Sequence, residues 1–213
     1  MPSLFTAISA GWENTNPQIY GTVNPFVVNK GDIVQIVLNN LDAAIHPFHL
    51  HGHQFQVCEL PPSGNGTFDG YTGNFPAIPM RRDVVAVNAN SYTVLRFEAD
   101  NPGVWLFHCH IEWHVAMGLL ATIVEAPEEL RGLPIPADHK AVCEVQGIPV
   151  TGNAAGNNQN WTAVKSTKPH PTNSNKGCST LRTLHTAQAD SSKGKPIHQL
   201  RGTAVADDTS AMV

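Results

Sequence analysis

The sequence predicts an all-β fold, a Greek-key barrel or sandwich, on three observations. Short β-branched runs recur at close spacing, turn residues separate them, and long helical periodicity is scarce. The 16 Pro and 17 Gly among 213 residues fit the same turn-rich class. Residues 24–29 and 33–40 form the first two predicted strands, broken by Lys30-Gly31-Asp32. Residues 49–58 and 84–87 follow. Residues 91–98 alternate, with Tyr92, Val94 and Arg96 on one side and Thr93, Leu95 and Phe97 on the other. Residues 104–109 and 119–125 close the series, with a short helix between them over 110–118. The predicted core holds Val27, Ile33, Ile36, Leu38, Val85, Leu95, Phe97, Leu106 and Ile123.

Composition narrows the function. Charged residues make up only 14% of the chain and the net charge is −4, which excludes nucleic acid or an anionic membrane surface as the main partner. Glycine shows no three-residue period and no heptads run along the chain, so collagen and coiled coil are excluded. The charge divides near residue 150. Residues 1–150 carry 6 Lys+Arg and 14 Asp+Glu, and residues 151–213 carry 7 and 3. The second stretch has one aromatic, Trp161, and polar runs such as Thr167-Lys168-Pro169-His170-Pro171. It is expected to be a basic, largely disordered tail after a single domain over 1–150. No apolar run is long enough to span a membrane, and residues 1–20 lack the pattern of a signal peptide.

Histidine is the unusual count, and seven of the 11 fall in two segments. These are His46-Pro47-Phe48-His49-Leu50-His51-Gly52-His53 and His108-Cys109-His110-Ile111-Glu112-Trp113-His114. His139, His170, His185 and His198 are scattered and are read as ordinary residues. Imidazole with thiolate suits copper, zinc or iron. In an extended strand i and i+2 share a face, so His49 and His51 project together. His108 and His110 do the same, while Cys109 between them points to the opposite side. One strand thus serves two centres, one thiolate-bound and one of imidazoles alone, and His114 swings back across a turn to the thiolate side. Two His and one Cys is a blue-copper set. Tetrahedral zinc competes, since His110 and His114 have helical i, i+4 spacing, but it leaves five histidines unexplained.

At these two segments the sequence resembles the multicopper oxidases, specifically the last of their three cupredoxin domains. The likeness spans about residues 1–150. It extends to Asn39-Asn40, Met80-Arg81-Arg82-Asp83 and Asn101-Pro102-Gly103-Val104-Trp105, and is nearest to fungal iron-uptake ferroxidases, then laccases. It implies a cupredoxin-like (plastocyanin-like) fold and the following roles. His46, Cys109 and His114 bind the type 1 copper, His49 the type 2 copper, His51 and His108 one type 3 copper, and His110 the other. Cys109, bonded through the backbone to His108 and His110, supplies an electron path to the cluster that reduces O2 to water. Glu112 and Trp113 support the ligands, and His53 is not one. The axial position falls at Leu119, which cannot coordinate and so raises the copper potential. Met117 is the competing axial candidate and is assigned to packing.

By the same resemblance Asp42, four residues before His46, corresponds to an acidic residue that in the ferroxidases helps bind Fe(II) and couples it to the type 1 histidine. The alternative is an ordinary turn residue in Asn39-Asn40-Leu41-Asp42. Cys143 falls where laccases carry a cysteine bridged to their first domain, and the partners of Cys143 and Cys178 stay open. Cys58 is expected as a buried thiol. Asn65-Gly66-Thr67 and Asn160-Trp161-Thr162 match the glycosylation sequon.

The resemblance implies an oxidase of Fe(II), extracellular or at the cell surface, with O2 as second substrate and an iron permease as possible partner. The alternatives are a laccase-type phenol oxidase, or an isolated type 1 electron-transfer domain that does not reduce oxygen. The family completes its cluster with two His-x-His motifs from a first cupredoxin domain. This chain has neither, so it is expected to be a C-terminal fragment, and one that lost its partner domains' interface is a candidate for unstable folding.

Overall fold

Turn chemistry and β-branched runs set the strands. A computed structural model of the chain describes residues 1–164 apart from Thr72 and Asn74, and the backbone of residues 197–204. The strands in chain order are β1 (Pro25–Val28), β2 (Ile33–Asn40), β3 (His46–Leu50), β4 (Phe55–Glu59), β5 (Met80–Arg82), β6 (Val84–Val87), β7 (Ser91–Glu98), β8 (Gly103–Cys109), β9 (Leu120–Glu125) and β10 (Ile197–Ala204). The helices are α1 (Ser3–Ser9), α2 (Glu112–Ala116), α3 (Pro127–Leu130) and α4 (Ala137–Val145). Two compact units result.

The first unit comprises Met1–Lys30, Asp100–Trp105 and the chain from Ala121 to residue 164. Here β1 and β9 run parallel, Pro25 opposite Thr122 and Val28 opposite Glu125. Ala7, Ala10, Ile19, Tyr20, Val124 and Leu130 form its core, with Val27 and Trp161 packed against it. Asn153, fully buried, ties down the chain after residue 150. Its Nδ2 donates to the carbonyls of Asn160, Trp161 and Ala163, and its Oδ1 accepts from the N–H of Ala155 and Asn157. Residues 151–164 are therefore held by side-chain hydrogen bonds, where the sequence places them in a largely disordered tail. The Asn153 amide satisfies five backbone groups at once, and Trp161 packs against the core of this unit. The remaining tail expectations, and Cys178, lie outside the described residues apart from the β10 backbone.

The second unit comprises Gly31–Ala99, Leu106–Leu120 and β10. One sheet has the order β10-β2-β7-β4-β5. β2 and β7 are antiparallel in unbroken register from Ile33–Glu98 to Asn40–Ser91, and a bulge interrupts β4 against β7 between Val57 and Glu59. β10 lies parallel to β2 over all eight residues. Its second sheet segment centres on β3, which pairs antiparallel with β6 and with the end of β8. Val37, Cys58, Phe68, Tyr92 and Val94 cluster in its core. Cys58 is buried as expected.

Most predicted strands match within a few residues, and α2 falls inside the predicted 110–118 helix. The predicted strand over 49–58 is two strands, because a turn at His51-Gly52 places Gly52 at φ +75°. The helices α1 and α4, and the 3-10 turns Gly11–Thr15 and Pro17–Tyr20, carry too few residues for a visible period. Leu106 is 37% exposed rather than in the core. Alternation along β8 puts it on the face of His108, opposite the buried Phe107 and Cys109. Val27 and Ile33 are only half-buried, while Ile36, Leu38, Val85, Leu95, Phe97 and Ile123 are buried.

Candidate metal centre

Strand alternation separates two groups of ligand-type side chains. Along β3 the even residues His46, Phe48 and Leu50 are buried and Pro47 and His49 are less so. The β3–β8 register sets Phe48 opposite Cys109 and His49 opposite His108. Directly opposed residues share a face. Cys109 thus lies with Phe48 and His46, and His108 lies with His49 on the other side.

On the buried side, His46, Cys109 and His114 converge, with their ligand atoms all within 4.8 Å of one another. Cys109 Sγ lies 3.3 Å from His114 Nδ1 and 3.7 Å from His46 Nδ1, and the two Nδ1 atoms are 3.2 Å apart. The two rings stack with centroids at 4.7 Å. His114 reaches the thiol because α2 turns the chain back after Cys109. The N–H of Leu119 then donates to the His114 carbonyl, and the N–H of Cys109 to the Leu119 carbonyl. The Leu119 side chain is fully buried and Met117 is 37% exposed.

The other nitrogen of His46 is engaged. Asp42 Oδ2 lies 2.9 Å from His46 Nε2. A carboxylate only accepts, so Nε2 carries the proton and donates, leaving Nδ1 as a lone-pair donor beside Cys109. Burial pushes the Asp42 carboxyl up, but the hydrogen bonds from His46 and from the backbone at Ala44 outweigh it and hold it below the ordinary carboxylate range. Burial raises the Cys109 thiol and lowers His114, and His46 lowers His114 further. A metal bound here would have to displace the thiol proton.

On the other side four imidazoles gather. Ring centroids lie 4.9 Å apart for His49–His51, 5.2 Å for His51–His108, 5.5 Å for His108–His110 and 6.1 Å for His49–His110. His51 Nε2 and His108 Nε2 are 3.1 Å apart. Backbone carbonyls orient two of the rings. His49 Nδ1 donates to the Asp83 carbonyl and His108 Nδ1 to that of Cys109, so both present Nε2 outward. Burial, then His49, His108 and His110, lower the His51 pKa. His53 instead packs its ring on Phe97 at 4.6 Å.

The structure thus brings together His46, Cys109, His114 and Asp42, and separately His49, His51, His108 and His110. Sequence reasoning missed the carbonyls that select the ring nitrogens. It also missed Asn40, whose buried side chain closes the Asp42 loop. No local pattern reports these, because the partners are distant in sequence.

A buried thiol flanked by two imidazole Nδ1 atoms is the donor chemistry of a copper–thiolate site, and it lies one residue from an imidazole cluster. A sequence profile described as multicopper oxidase matches residues 1–129. The chain belongs to the multicopper oxidases, a family whose cofactors are type 1, type 2 and type 3 copper. Among them it is similar to the iron transport multicopper oxidase fetC of Epichloe festucae, 50% identical over 179 residues that make up 80% of this chain and 29% of that one. The iron transport multicopper oxidase FET3 of Kluyveromyces lactis is 49% identical over 173 residues, 76% of this chain and 27% of that one. The crystal structure of Fet3p, a multicopper oxidase that functions in iron import, superposes with a TM-score of 0.72 at 40% identity, covering 76% of this chain and 33% of that one. The chain therefore spans less than a third of the curated relatives named here. The fold is cupredoxin-like, as expected.

Proposed function

We propose that this chain carries the substrate-oxidising copper site and half of the oxygen-reducing cluster of an Fe(II) oxidase. The observation that carries the reading is His46, with one nitrogen on the Asp42 carboxylate and the other beside the buried Cys109 thiol. His46, Cys109 and His114 would hold the type 1 copper, and the buried Leu119 side chain would offer it no donor atom. His49 would bind the type 2 copper, His51 and His108 one type 3 copper, and His110 the other. Copper bound at these sites supplies one-electron redox chemistry and the reduction of O2.

The chain's own residues prepare that chemistry. Asp42, its side chain 20% exposed, offers a hard anionic oxygen to Fe(II) beside the His46 ring. Its hydrogen bond also holds His46 in the tautomer that leaves Nδ1 free. Cys109 joins the two sides covalently, because His108 and His110 are its chain neighbours. The described residues hold one imidazole cluster only, so the other half would come from upstream cupredoxin domains of the parent protein.

The test uses the full-length parent protein. Four bound coppers with oxygen uptake driven by Fe(II) support the reading, and zinc alone in the sites would reject it. Asp42→Ala should lower the Fe(II)-to-phenol ratio of kcat/KM about tenfold, the scale of one charge-assisted contact. An unchanged ratio would favour the laccase-type reading.

A second reading applies to the isolated chain and rests on the half-cluster: it is a type 1 electron-transfer domain. Oxygen reduction by this chain alone would sink it. An extracellular or cell-surface site of action, with an iron permease taking the Fe(III) product, is proposed on the strength of the iron-transport relatives. Recovery of the parent protein only from cytosol, without copurifying permease, would reject that part.

A further inference from the structure

We infer that Asn40 is a positioning residue that holds the Asp42 carboxylate against His46. The inference rests on the reading of Asp42 given above. Asn40 ends β2, and its side chain is fully buried. Its amide is engaged on both sides. Nδ2 donates to the carbonyls of Ala44 at 2.8 Å, Asn88 at 3.0 Å and Val87 at 3.3 Å. Oδ1 accepts from the Asp42 N–H at 3.0 Å. Two N–H bonds serve three carbonyls, so one of them is shared.

These contacts have a direction. The bonds to Asp42 and Ala44 close the 41–45 loop on itself. Those to Val87 and Asn88 fasten the loop to the end of β6, where Val87 stands opposite His46 in the β3–β6 register. The loop supplies the carboxylate and the strand supplies the imidazole, and Asn40 links the two supports. Two further bonds complete the turn. The Asn90 N–H donates to the Asp42 carbonyl at 2.8 Å, and the Ala44 N–H donates to Asp42 Oδ1 at 3.3 Å, leaving Oδ2 for His46.

Only an amide of this length meets the demand. Aspartate lacks the donors and would face three carbonyls and the Asp42 carboxylate with a negative charge. Glutamine is one methylene longer. Serine and threonine carry a single O–H, enough for one carbonyl but not for both the loop and β6. Either substitution should loosen the loop and leave in place β3, which carries His46 and pairs with β6 and β8.

The experiment is a double-mutant cycle in the copper-loaded, full-length parent protein, with Asn40→Ser, Asp42→Ala and their combination. Asn40→Ser should lower the Fe(II)-to-phenol ratio of kcat/KM about fivefold, through KM for Fe(II) rather than through kcat, as expected for one displaced hydrogen-bonded contact. In the Asp42→Ala background it should add nothing, because the two residues act as one unit. The electron paramagnetic resonance of the type 1 site should move the same way in both single variants, since His46 loses the same partner in each. Asn88→Ala removes the side-chain bond to the Pro61 carbonyl but keeps the Asn88 backbone carbonyl that Asn40 uses, so it should leave the ratio unchanged, and an equal loss in it would overturn the inference. An effect of Asp42→Ala without one of Asn40→Ser, or additive effects, overturns this inference and leaves the Asp42 reading standing. No effect of Asp42→Ala overturns that reading first. Should Asn40→Ser fail to load copper, Asn40→Thr replaces it, and failure of both assigns Asn40 to folding and overturns the inference.

Discussion

Asp42 Oδ2 and His46 Nε2 are 2.9 Å apart, and the opposite nitrogen of the same ring faces Cys109 Sγ at 3.7 Å. His46 itself is fully buried, while the Asp42 side chain remains 20% exposed. One imidazole therefore joins a solvent-reachable carboxylate to a buried thiol. The width of a single ring separates them.

The thiol is the most direct point of attack. Cys109→Ser keeps the shape of a fully buried residue and replaces sulfur by oxygen. The intense visible absorption of a copper–thiolate site should vanish while the protein still folds. A spectrum that survives the change would remove Cys109 from the ligand set.

Leu119 and Met117 are separated by exchanging them one at a time. Leu119→Met conserves volume in a fully buried position and brings a thioether into the core. The potential of copper held by His46, Cys109 and His114 should fall, because an added thioether donor would stabilise the oxidised copper. Met117→Leu should leave it in place. The reverse pattern in a redox titration would make Met117 the axial residue.

Tyr92 provides a pH test away from the two histidine groups. Burial, then the hydrogen bond it donates to Glu59 Oε1 at 2.9 Å, then the charges of Glu59 and Asp69, push the phenol up from 10.0 to about 12. The folded state keeps a proton that the unfolded state has already lost. The contribution to stability is therefore fully present below about pH 10 and is lost as pH rises toward 12. In an absorbance titration the phenolate signal missing from Tyr92→Phe should appear near 12. Glu59→Gln should move it down, but not to the ordinary value, because burial remains. A Tyr92 signal at the ordinary value in the parent chain would contradict the buried pair.

Asn153 tests the ordering of residues 151–164. Asn153→Ala would strip the buried partners from three carbonyls and two N–H groups. These bonds are part-buried, so each contributes about 0.5–1.5 kcal/mol. Limited proteolysis should then cut this stretch while the copper spectrum is unaltered. Equal resistance in both proteins would show that the Asn153 contacts do not hold the segment.

The two-sided arrangement of the histidines was legible because strand alternation is a local rule. His49 and His51, and His108 and His110, share a face by spacing alone, and Cys109 points away from its neighbours. The same rule sets Leu106 beside His108 rather than in the core. The sequence showed Asn40 as the end of a strand and part of the Asn39-Asn40 resemblance, but not its contacts. Its partners lie at Ala44, Val87 and Asn88, and only the pairing of β3 with β6 brings the last two to it. Helices α1 and α4 escaped because each is too short for its period to stand out from irregular chain.

By itself the sequence determined the fold class, the ligand types and their division into a thiolate side and an imidazole side, since these follow from residue chemistry and a period of two. The tertiary structure alone decided which ring nitrogen each of His46, His49 and His108 presents, since a hydrogen bond to a carboxylate or carbonyl selects the tautomer. It alone decided that Asp42 meets His46, because that contact depends on how the Asn40 amide anchors a loop to a strand distant in the chain.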